Sequence, residues 1–213
     1  IPGLSFRFKA EQAAGQVDAS GNLTAAKRAG TYNSAITVEV AQGSVSKTAT
    51  ADVIIKPGPL HRVSIEPTAP SVEAGKKLQL AAKTLDEFDN AIPGLTPTFS
   101  SNKEAGEVDS SGNFTASKKA DTYKSGVTVA ITQGAITKTA TTDVIVKPGP
   151  LNRVKIEPGT LTSEAGKTQK HTASALDEFD NPIQGLSFHF GSDSTAGQMD
   201  REGNFRAGTK AGN

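Results

Sequence analysis

The sequence repeats itself every 91 residues. The phrase Gly15–Asp18 returns as Gly106–Asp109 and again as Gly197–Asp200, and each copy runs on to a Gly-Asn pair. Residues 1–58 align with residues 92–149 without a gap, and 33 of these 58 positions are identical. Solenoid and propeller units repeat after about 20–50 residues, whereas a small autonomous domain has about 100 residues. The period therefore predicts a tandem array of similar small domains.

The domain boundaries are predicted at two copies of Lys-Pro-Gly-Pro, Lys56–Pro59 and Lys147–Pro150. Proline lacks the N–H that a sheet ladder requires, and the short proline-containing linker is stiff. The sequence divides into a first repeat (1–58), a second repeat (59–149) and a third repeat (150–213). We expect the first repeat to lack its first two strands, the second to be complete, and the third to lack its last two strands.

The incomplete end repeats have two interpretations. The chain starts with Ile1 rather than Met, so a leader or a longer upstream region is expected to be missing, and the chain is then a piece of a longer array. Alternatively, another copy of the chain completes the end repeats by strand donation, because an incomplete sandwich leaves a cleft and open edges.

The hydrophobic pattern in the second repeat has a period of two, which is typical of strands. Apolar and polar residues alternate in Arg62–Glu66, in Lys77–Thr84 and in the strong strand Val127–Ile131, and a turn is predicted at Gln133-Gly134. Pro97 predicts an edge strand over Thr96–Ser100. About seven short strands separated by turns predict an all-β fold, with tandem immunoglobulin-like β-sandwiches in a semi-rigid array.

The two tyrosines of the chain strengthen this prediction. Tyr32 and Tyr123 are 91 residues apart and precede the penultimate strand of their repeats. Immunoglobulin-like sandwiches often place there a tyrosine whose hydroxyl bonds back to nearby backbone. We expect a tyrosine corner in both repeats.

Composition and motifs argue against several functions. The chain has 23 basic and 22 acidic side chains and a net charge of +1, whereas a nucleic-acid surface needs a basic patch. No apolar run approaches the roughly 18–20 residues of a membrane span. Without cysteine there is no disulfide, thiolate metal site or cysteine nucleophile, and no serine lies in a Gly-x-Ser-x-Gly elbow. We therefore expect no nucleic-acid partner, no membrane span in this segment and no catalytic residues.

The densest groups of side-chain oxygens are two equivalent acidic loops. Calcium takes six to eight oxygen ligands, including carboxylates and Asn carbonyls. The loops could supply such ligands, although the alternative is that their Asp and Asn side chains cap their own turn. No other cofactor is expected. The calcium candidates are Asp86, Glu87, Asp89, Asn90, Asp177, Glu178, Asp180 and Asn181.

Two further patterns have a functional and a structural interpretation. Asn22 and Asn113 begin Asn-x-Thr sequons at equivalent positions, which makes them glycosylation candidates, but asparagine after glycine is also ordinary turn chemistry. Asp18 and its equivalents Asp109 and Asp200 each lie three residues before a Gly-Asn pair. They are interpreted as turn-forming residues. The three histidines share no repeat position or ligand spacing, so no histidine metal site is expected.

These motifs resemble the bacterial immunoglobulin-like repeats of cell-surface proteins, group 2 in particular. The resemblance lies in Leu60-x-x-Val-x-Ile-x-Pro67, in Glu73–Gly75 and in Gly106–Ala116, and Asp89–Gly94 is similar to the group 1, invasin-like, version. It covers essentially the whole chain. The resemblance implies a secreted or cell-surface location.

The repeats and the resemblance together predict a structural module of an extracellular repetitive protein. It would act as a stalk, a filament or sheath component, or a surface-layer component, through tandem assembly of β-sandwiches. Its partners would be neighbouring repeats or further copies of itself. Two alternatives remain open: an adhesin segment that binds a host protein or glycan, and a spacer in a large secreted hydrolase.

Overall fold

The computed structural model describes residues 4–210. Within that range it contains twenty β-strands and no helix, so the predicted all-β class is confirmed. It follows that no helix in this part of the chain could cross a membrane.

The strands of the first repeat are β1 (Leu4–Ala10), β2 (Gly15–Val17), β3 (Leu23–Ala25), β4 (Gly30–Gln42) and β5 (Val45–Ile55). Those of the second repeat are β6 (Arg62–Glu66), β7 (Ser71–Glu73), β8 (Lys77–Gln79), β9 (Ala81–Leu85), β10 (Pro97–Ser101), β11 (Gly106–Val108), β12 (Asn113–Ala116), β13 (Asp121–Gln133) and β14 (Ile136–Lys147). Those of the third repeat are β15 (Arg153–Glu157), β16 (Thr168–Lys170), β17 (Thr172–Leu176), β18 (Pro182–Ile183), β19 (Gly197–Met199) and β20 (Asn204–Ala207).

The 91-residue period of the sequence is also the period of the strands. β2, β11 and β19 begin at successive positions 91 residues apart, and β15 repeats the bounds of β6. Within residues 150–210, the equivalents of two strands of the second repeat form no strand: residues 162–164, equivalent to β7, and residues 188–192, equivalent to β10.

Most strand pairs are antiparallel, and each repeat contributes its own sheets. β1, β4 and β5 form one sheet in that order, whereas the second repeat has the order β10-β13-β14-β7. β10 lies at the end of its sheet, so the edge strand predicted from Pro97 is confirmed. The β13–β14 hairpin turns at Gly134, whose φ of 59° favours glycine, as the sequence predicted.

The sequence prediction was wrong over Lys77–Thr84, which is two strands rather than one. β8 pairs with β12, whereas β9 pairs with β6, so the chain changes sheets at Leu80. That side chain is only 1% exposed. Alternation alone could not reveal the change, because the inward positions continue with a period of two from Leu78 through Leu80 to Ala82.

The strand β7 is also absent from the sequence interpretation. It has only three residues, and its strand character comes from parallel pairing with Ile145–Lys147 at the end of β14. A pairing partner that lies more than seventy residues away leaves no local signal in such a short segment.

By their contacts the described residues form two compact units. The first comprises residues up to Thr68, Leu80–Phe99 and Thr128–Thr141. The second comprises Ala69–Gln79, Ser100–Val127 and the residues from Thr142 onward. The division into three repeats remains a prediction, and its outermost residues, 1–3 and 211–213, lie outside the described residues.

The first unit has a small core in the first repeat. Ala14, Ala35 and Val53 are buried there, and the half-buried Leu23 and Tyr32 pack against them, with Ile36 and Ile55. The buried hydrophobic side chains in its part of the second repeat are Leu60, Val63, Ile65, Leu80, Leu85, Ile92, Val129 and Ile131. The second unit buries Phe114, Val127 and Val144 completely.

The predicted tyrosine corner is present in both repeats. The hydroxyl of Tyr123 donates a 2.9 Å hydrogen bond to the carbonyl oxygen of Lys119, and the hydroxyl of Tyr32 donates a 2.8 Å bond to that of Arg28. In each case the acceptor lies four residues upstream, as in immunoglobulin-like sandwiches. The predicted fold class is therefore confirmed at the level of these repeats.

Candidate functional site at the acidic loops

The first acidic loop is organised around one buried carboxylate, that of Asp86. This residue follows β9 directly and is 1% exposed. Its Oδ1 accepts hydrogen bonds from the backbone N–H of Phe88 and of Asn90, at 2.8 and 2.9 Å. Its Oδ2 accepts bonds of 2.8 Å from the Asn90 side chain and from the N–H of Gly58. Since Gly58 belongs to the Lys-Pro-Gly-Pro linker, the carboxylate fastens that linker to the loop.

These donors keep Asp86 ionised. Burial alone would raise the pKa of this carboxyl group, but the hydrogen bonds from Asn90, Gly58 and Phe88 outweigh it and lower the pKa to about 2. A carboxylate that accepts several N–H bonds favours its charged form in this way. The negative charge is therefore part of the folded loop near neutral pH.

The second acidic loop reproduces the first. Asp177 is completely buried and accepts hydrogen bonds from the N–H of Phe179 and the N–H and side chain of Asn181. Its Oδ2 also accepts a 2.8 Å bond from Gly149 of the second linker. Burial opposes these bonds, yet the pKa of Asp177 is lowered.

The asparagine that ends each loop also binds backbone in the preceding repeat. The side-chain oxygen of Asn90 accepts a 2.8 Å bond from the N–H of Ala29, and its Nδ2 donates a 2.7 Å bond to the carbonyl of Lys27. Asn181 makes both bonds in the same way, each 2.7 Å long, with Ala120 and Lys118. We call this pair of bonds the asparagine clamp.

An aromatic contact accompanies each clamp. The ammonium group of Lys27 lies 5.2 Å from the ring centroid of Phe88, and that of Lys118 lies 5.6 Å from that of Phe179, which is the distance range of cation–π pairs. Phe179 also lies against Gly75, where a Cβ would be only 3.0 Å from the ring. The lysine that offers its carbonyl to the clamp thus also covers the loop.

The remaining loop carboxylates lie at the surface. Asp89 has a φ of 64° and forms a 2.7 Å ion pair with Arg62, and Asp180 forms the equivalent pair with Arg153. Glu87 and Glu178, which complete the predicted sets, are exposed.

The most buried oxygens of the two loops, which a calcium ion would need as ligands, already accept hydrogen bonds. Among residues 4–210 no group of three or more His, Cys, Asp or Glu side chains is arranged to hold a metal ion. Capping of the loop's own turn, the alternative weighed from the sequence, is what Asp86 and Asp177 do. Calcium binding stays a prediction, which thermal melting with and without calcium can test.

The two glycosylation candidates are turn residues at the surface. Asn22 donates a 2.9 Å hydrogen bond from its side chain to Asp18, and Asn113 donates a 2.8 Å bond to Asp109. The backbone N–H groups of both asparagines bond to the same aspartates, so the turn-forming role predicted for Asp18 and its equivalents is confirmed. Attachment of a sugar stays a prediction.

Sequence reasoning missed the partners of the clamp. The segments Lys27–Ala29 and Lys118–Ala120 received no role, although they share the lysine and alanine positions that the clamp uses. Their recurrence together with the recurring acidic loops was the available signal. That recurrence did not show that the segments and the loops are close in space, because 61 residues separate each clamp asparagine from the alanine that it binds.

No protein-family model matches the sequence, and no curated protein matches it. Matches exist among solved structures. Domains 4–9 of the surface-layer protein SbsC share 19% identity over 92% of this chain and 32% of that chain, with a TM-score of 0.36. The Escherichia coli adhesin FdeC shares 20% identity over 86% of this chain and 67% of that chain, with a TM-score of 0.45. Domains 3–5 of Drosophila OTK share 11% identity over 98% of this chain and 76% of that chain, with a TM-score of 0.38.

These likenesses concern the fold alone. The chain spans about a third of the SbsC structure. The first of these structures belongs to a surface-layer protein, the second to an adhesin, and the third comprises extracellular domains.

Proposed function

We propose that the chain is a structural module of an extracellular repetitive protein, in which each joint between consecutive repeats is held by an asparagine clamp. The single observation that carries the proposal is the identity of the two joints. Asn90 and Asn181 make the same two backbone bonds, at distances that agree within 0.1 Å. In such a module the joint recurs as regularly as the strands, and a stalk, filament or surface layer needs joints that are the same along the chain.

The joint supports this role because it connects three segments. A carboxylate binds the linker, an asparagine binds both that carboxylate and the preceding repeat, and a lysine–aromatic pair covers the loop. Each neutral hydrogen bond contributes about 0.5–1.5 kcal/mol, and bonds to a charged group contribute more. Because these bonds tie the linker to the loop and the loop to the preceding repeat, they would resist bending at the joint.

The cell-surface location in this proposal rests on the resemblance of the repeat motifs to bacterial immunoglobulin-like repeats. The role is mechanical, so the proposed module is not an enzyme and requires no cofactor. Its proposed partners are neighbouring repeats and further copies of the chain.

The experiment compares the loss of a hydrogen bond at the joint with the loss of a hydrogen bond inside one repeat. Asn181→Ala removes one clamp, whereas Asn113→Ala, the matched control, removes a side-chain bond confined to one turn. Hydrogen exchange of the Ala120 amide and small-angle scattering are measured for both variants. We expect faster exchange and a broader distance distribution for Asn181→Ala only. An unchanged profile in a folded Asn181→Ala variant would overturn the clamp as the basis of the array.

A further inference from the structure

The ring of Phe179, in the second acidic loop, contacts two separate segments of the second repeat. Its Cε2 and Cζ lie so close to Gly75 that a Cβ on that glycine would be 3.0 and 3.1 Å from them. The ammonium group of Lys118 lies 5.6 Å from the ring centroid. We call Gly75 and Lys118 together the aromatic seat. The third repeat therefore touches the second at the seat as well as at the asparagine clamp.

The aromatic seat is built by hydrogen bonds within the second repeat. The N–H of Gly75 donates a 3.0 Å bond to the carbonyl of Ser117, and the N–H of Ala116 donates a 2.9 Å bond to the carbonyl of Lys76. None of these groups belongs to the third repeat. The seat is therefore held in place without the ring, and a surface that is ordered in advance costs less entropy to bind.

The loop that carries the clamp also fixes the ring. The backbone N–H of Phe179 donates a 2.8 Å bond to Oδ1 of Asp177, the oxygen that also accepts the N–H of Asn181. One buried carboxylate thus sets the positions of the ring and of the clamp asparagine together. The loop therefore presents both groups to the second repeat at once.

The clamp alone leaves one freedom at the joint. Both of its bonds run from a single side chain, Asn181, to the short segment Lys118–Ala120. Two bonds to neighbouring points resist separation, but they resist rotation about the line through them only weakly. Gly75 lies on a different segment, shortly after β7. Contact between the ring and this glycine opposes that rotation.

We propose that Phe179 is the positioning residue that sets the direction of the third repeat on the second, and that the aromatic seat is the surface that receives it. This inference rests on the proposed function, since a fixed direction matters for a module that acts through its joints. Without Phe179 the clamp still holds the two repeats together, but the angle between them is no longer fixed.

The seat selects its partner by chemistry. Glycine leaves room for a flat ring to approach, and the ammonium group attracts the face of that ring. The partner is a repeat that carries an aromatic side chain two residues after its buried aspartate, as Phe179 follows Asp177. Phe88 follows Asp86 in the same way, and its ring lies 5.2 Å from the ammonium group of Lys27.

The chain has no cysteine, so a pair of introduced cysteines reports on the joint directly. Spin labels are attached to a protein with Lys103→Cys and Arg201→Cys, at exposed residues of the second and third repeats. Pulsed electron spin resonance then gives the distribution of distances between the labels. We expect Phe179→Ala to shift and broaden this distribution, while the Ala120 amide keeps its protection from hydrogen exchange. Glu178→Ala, at the exposed neighbouring position, is the control and leaves the distribution unchanged.

A substitution in the seat tests the same contact from the other side. Gly75→Ala places a Cβ against the ring, and we expect it to shift the distribution. Since Gly75 has a φ of +71°, alanine is strained there in any case. The control is therefore Gly94→Ala, where φ is +80° but nothing lies within 4 Å of a Cβ, and it leaves the distribution unchanged. In Phe179→Ala protein, Gly75→Ala adds no further shift, because the ring that the Cβ displaces is gone.

The outcomes separate the aromatic seat from the clamp. An unchanged distance distribution in folded Phe179→Ala and Gly75→Ala proteins overturns the role of the seat and leaves the clamp standing. Loss of Ala120 protection in Phe179→Ala also overturns it, because the ring then acts only by holding the clamp. Failure of the proposed function has a different readout, an Ala120 amide that stays protected in Asn181→Ala.

Discussion

The side-chain oxygen of Asn181 accepts a hydrogen bond from the backbone N–H of Ala120, and the same amide group bonds to the buried carboxylate of Asp177. One side chain thus joins a loop to a segment 61 residues earlier in the chain. Since Asn90 makes the equivalent bonds, a substitution at one asparagine can be compared with the same substitution at the other.

Asn181→Asp should destabilise the fold more than Asn181→Ala. The aspartate cannot donate to Lys118, and it places a second carboxylate beside Asp177, whereas alanine only removes the bonds. We expect a loss of about 1–3 kcal/mol for alanine, the cost of leaving buried partners unpaired, and a larger loss for aspartate. Urea unfolding at neutral pH measures both. Equal losses for the two variants would contradict a carboxylate–carboxylate conflict.

The buried aspartates should make stability depend on acid. The pKa of Asp86 is about 2 in the folded chain, against an ordinary value of 3.8, so its folded form binds protons less readily than its unfolded form. Its contribution to stability is present above pH 3.8 and is lost as the pH falls towards 2. Unfolding free energy measured from pH 6 to pH 2 should therefore decrease.

Asp86→Asn should flatten this acid dependence, because the variant has no proton to gain at that position. Asp177, whose pKa is also lowered, provides the matched substitution, and Asp177→Asn should flatten the same part of the curve. A variant that retains the wild-type slope between pH 4 and pH 2 would show that these carboxylates do not control acid unfolding.

The sequence predicts those parts of the fold that have a local signal. Period two located β6 and β13, proline marked the edge strand β10, and the spacing of Tyr32 and Tyr123 predicted their corners. Each of these depends on neighbours close in the chain or on the repeat itself. The break at Leu80 and the strand β7 depend on which distant strand pairs, and alternation is the same for either choice.

The candidate site was located by the sequence, but its chemistry was not. Three acids and an asparagine in five residues read equally well as metal ligands or as hydrogen-bond acceptors. What distinguishes them is the position of the N–H groups of Gly58 and Gly149, which come from the linkers, and of the partners of Asn90 and Asn181. No spacing rule places those groups beside the loop.

Tyr123→Phe should cost about 0.5–1.5 kcal/mol, because it removes the hydroxyl that donates to Lys119 and leaves the ring in place. Tyr32→Phe, the equivalent substitution in the first repeat, should cost less, since its bond to Arg28 is exposed to solvent. Thermal unfolding of the two variants compares them. An equal cost at both positions would contradict the idea that burial strengthens the corner.

The glycine that opens each 91-residue phrase should tolerate substitution far less well than a hairpin glycine that also has a positive φ. Gly106 has a φ of +142°, and a Cβ there would lie 2.1 Å from the carbonyl oxygen of Thr115, so the strands β11 and β12 would have to separate. At Gly134, with a φ of +59°, nothing lies within 4 Å of a Cβ. We expect Gly134→Ala to cost about 1 kcal/mol through backbone strain alone and Gly106→Ala to cost more than about 3 kcal/mol. Urea unfolding decides this: similar costs would mean that the close approach of the two strands does not require glycine.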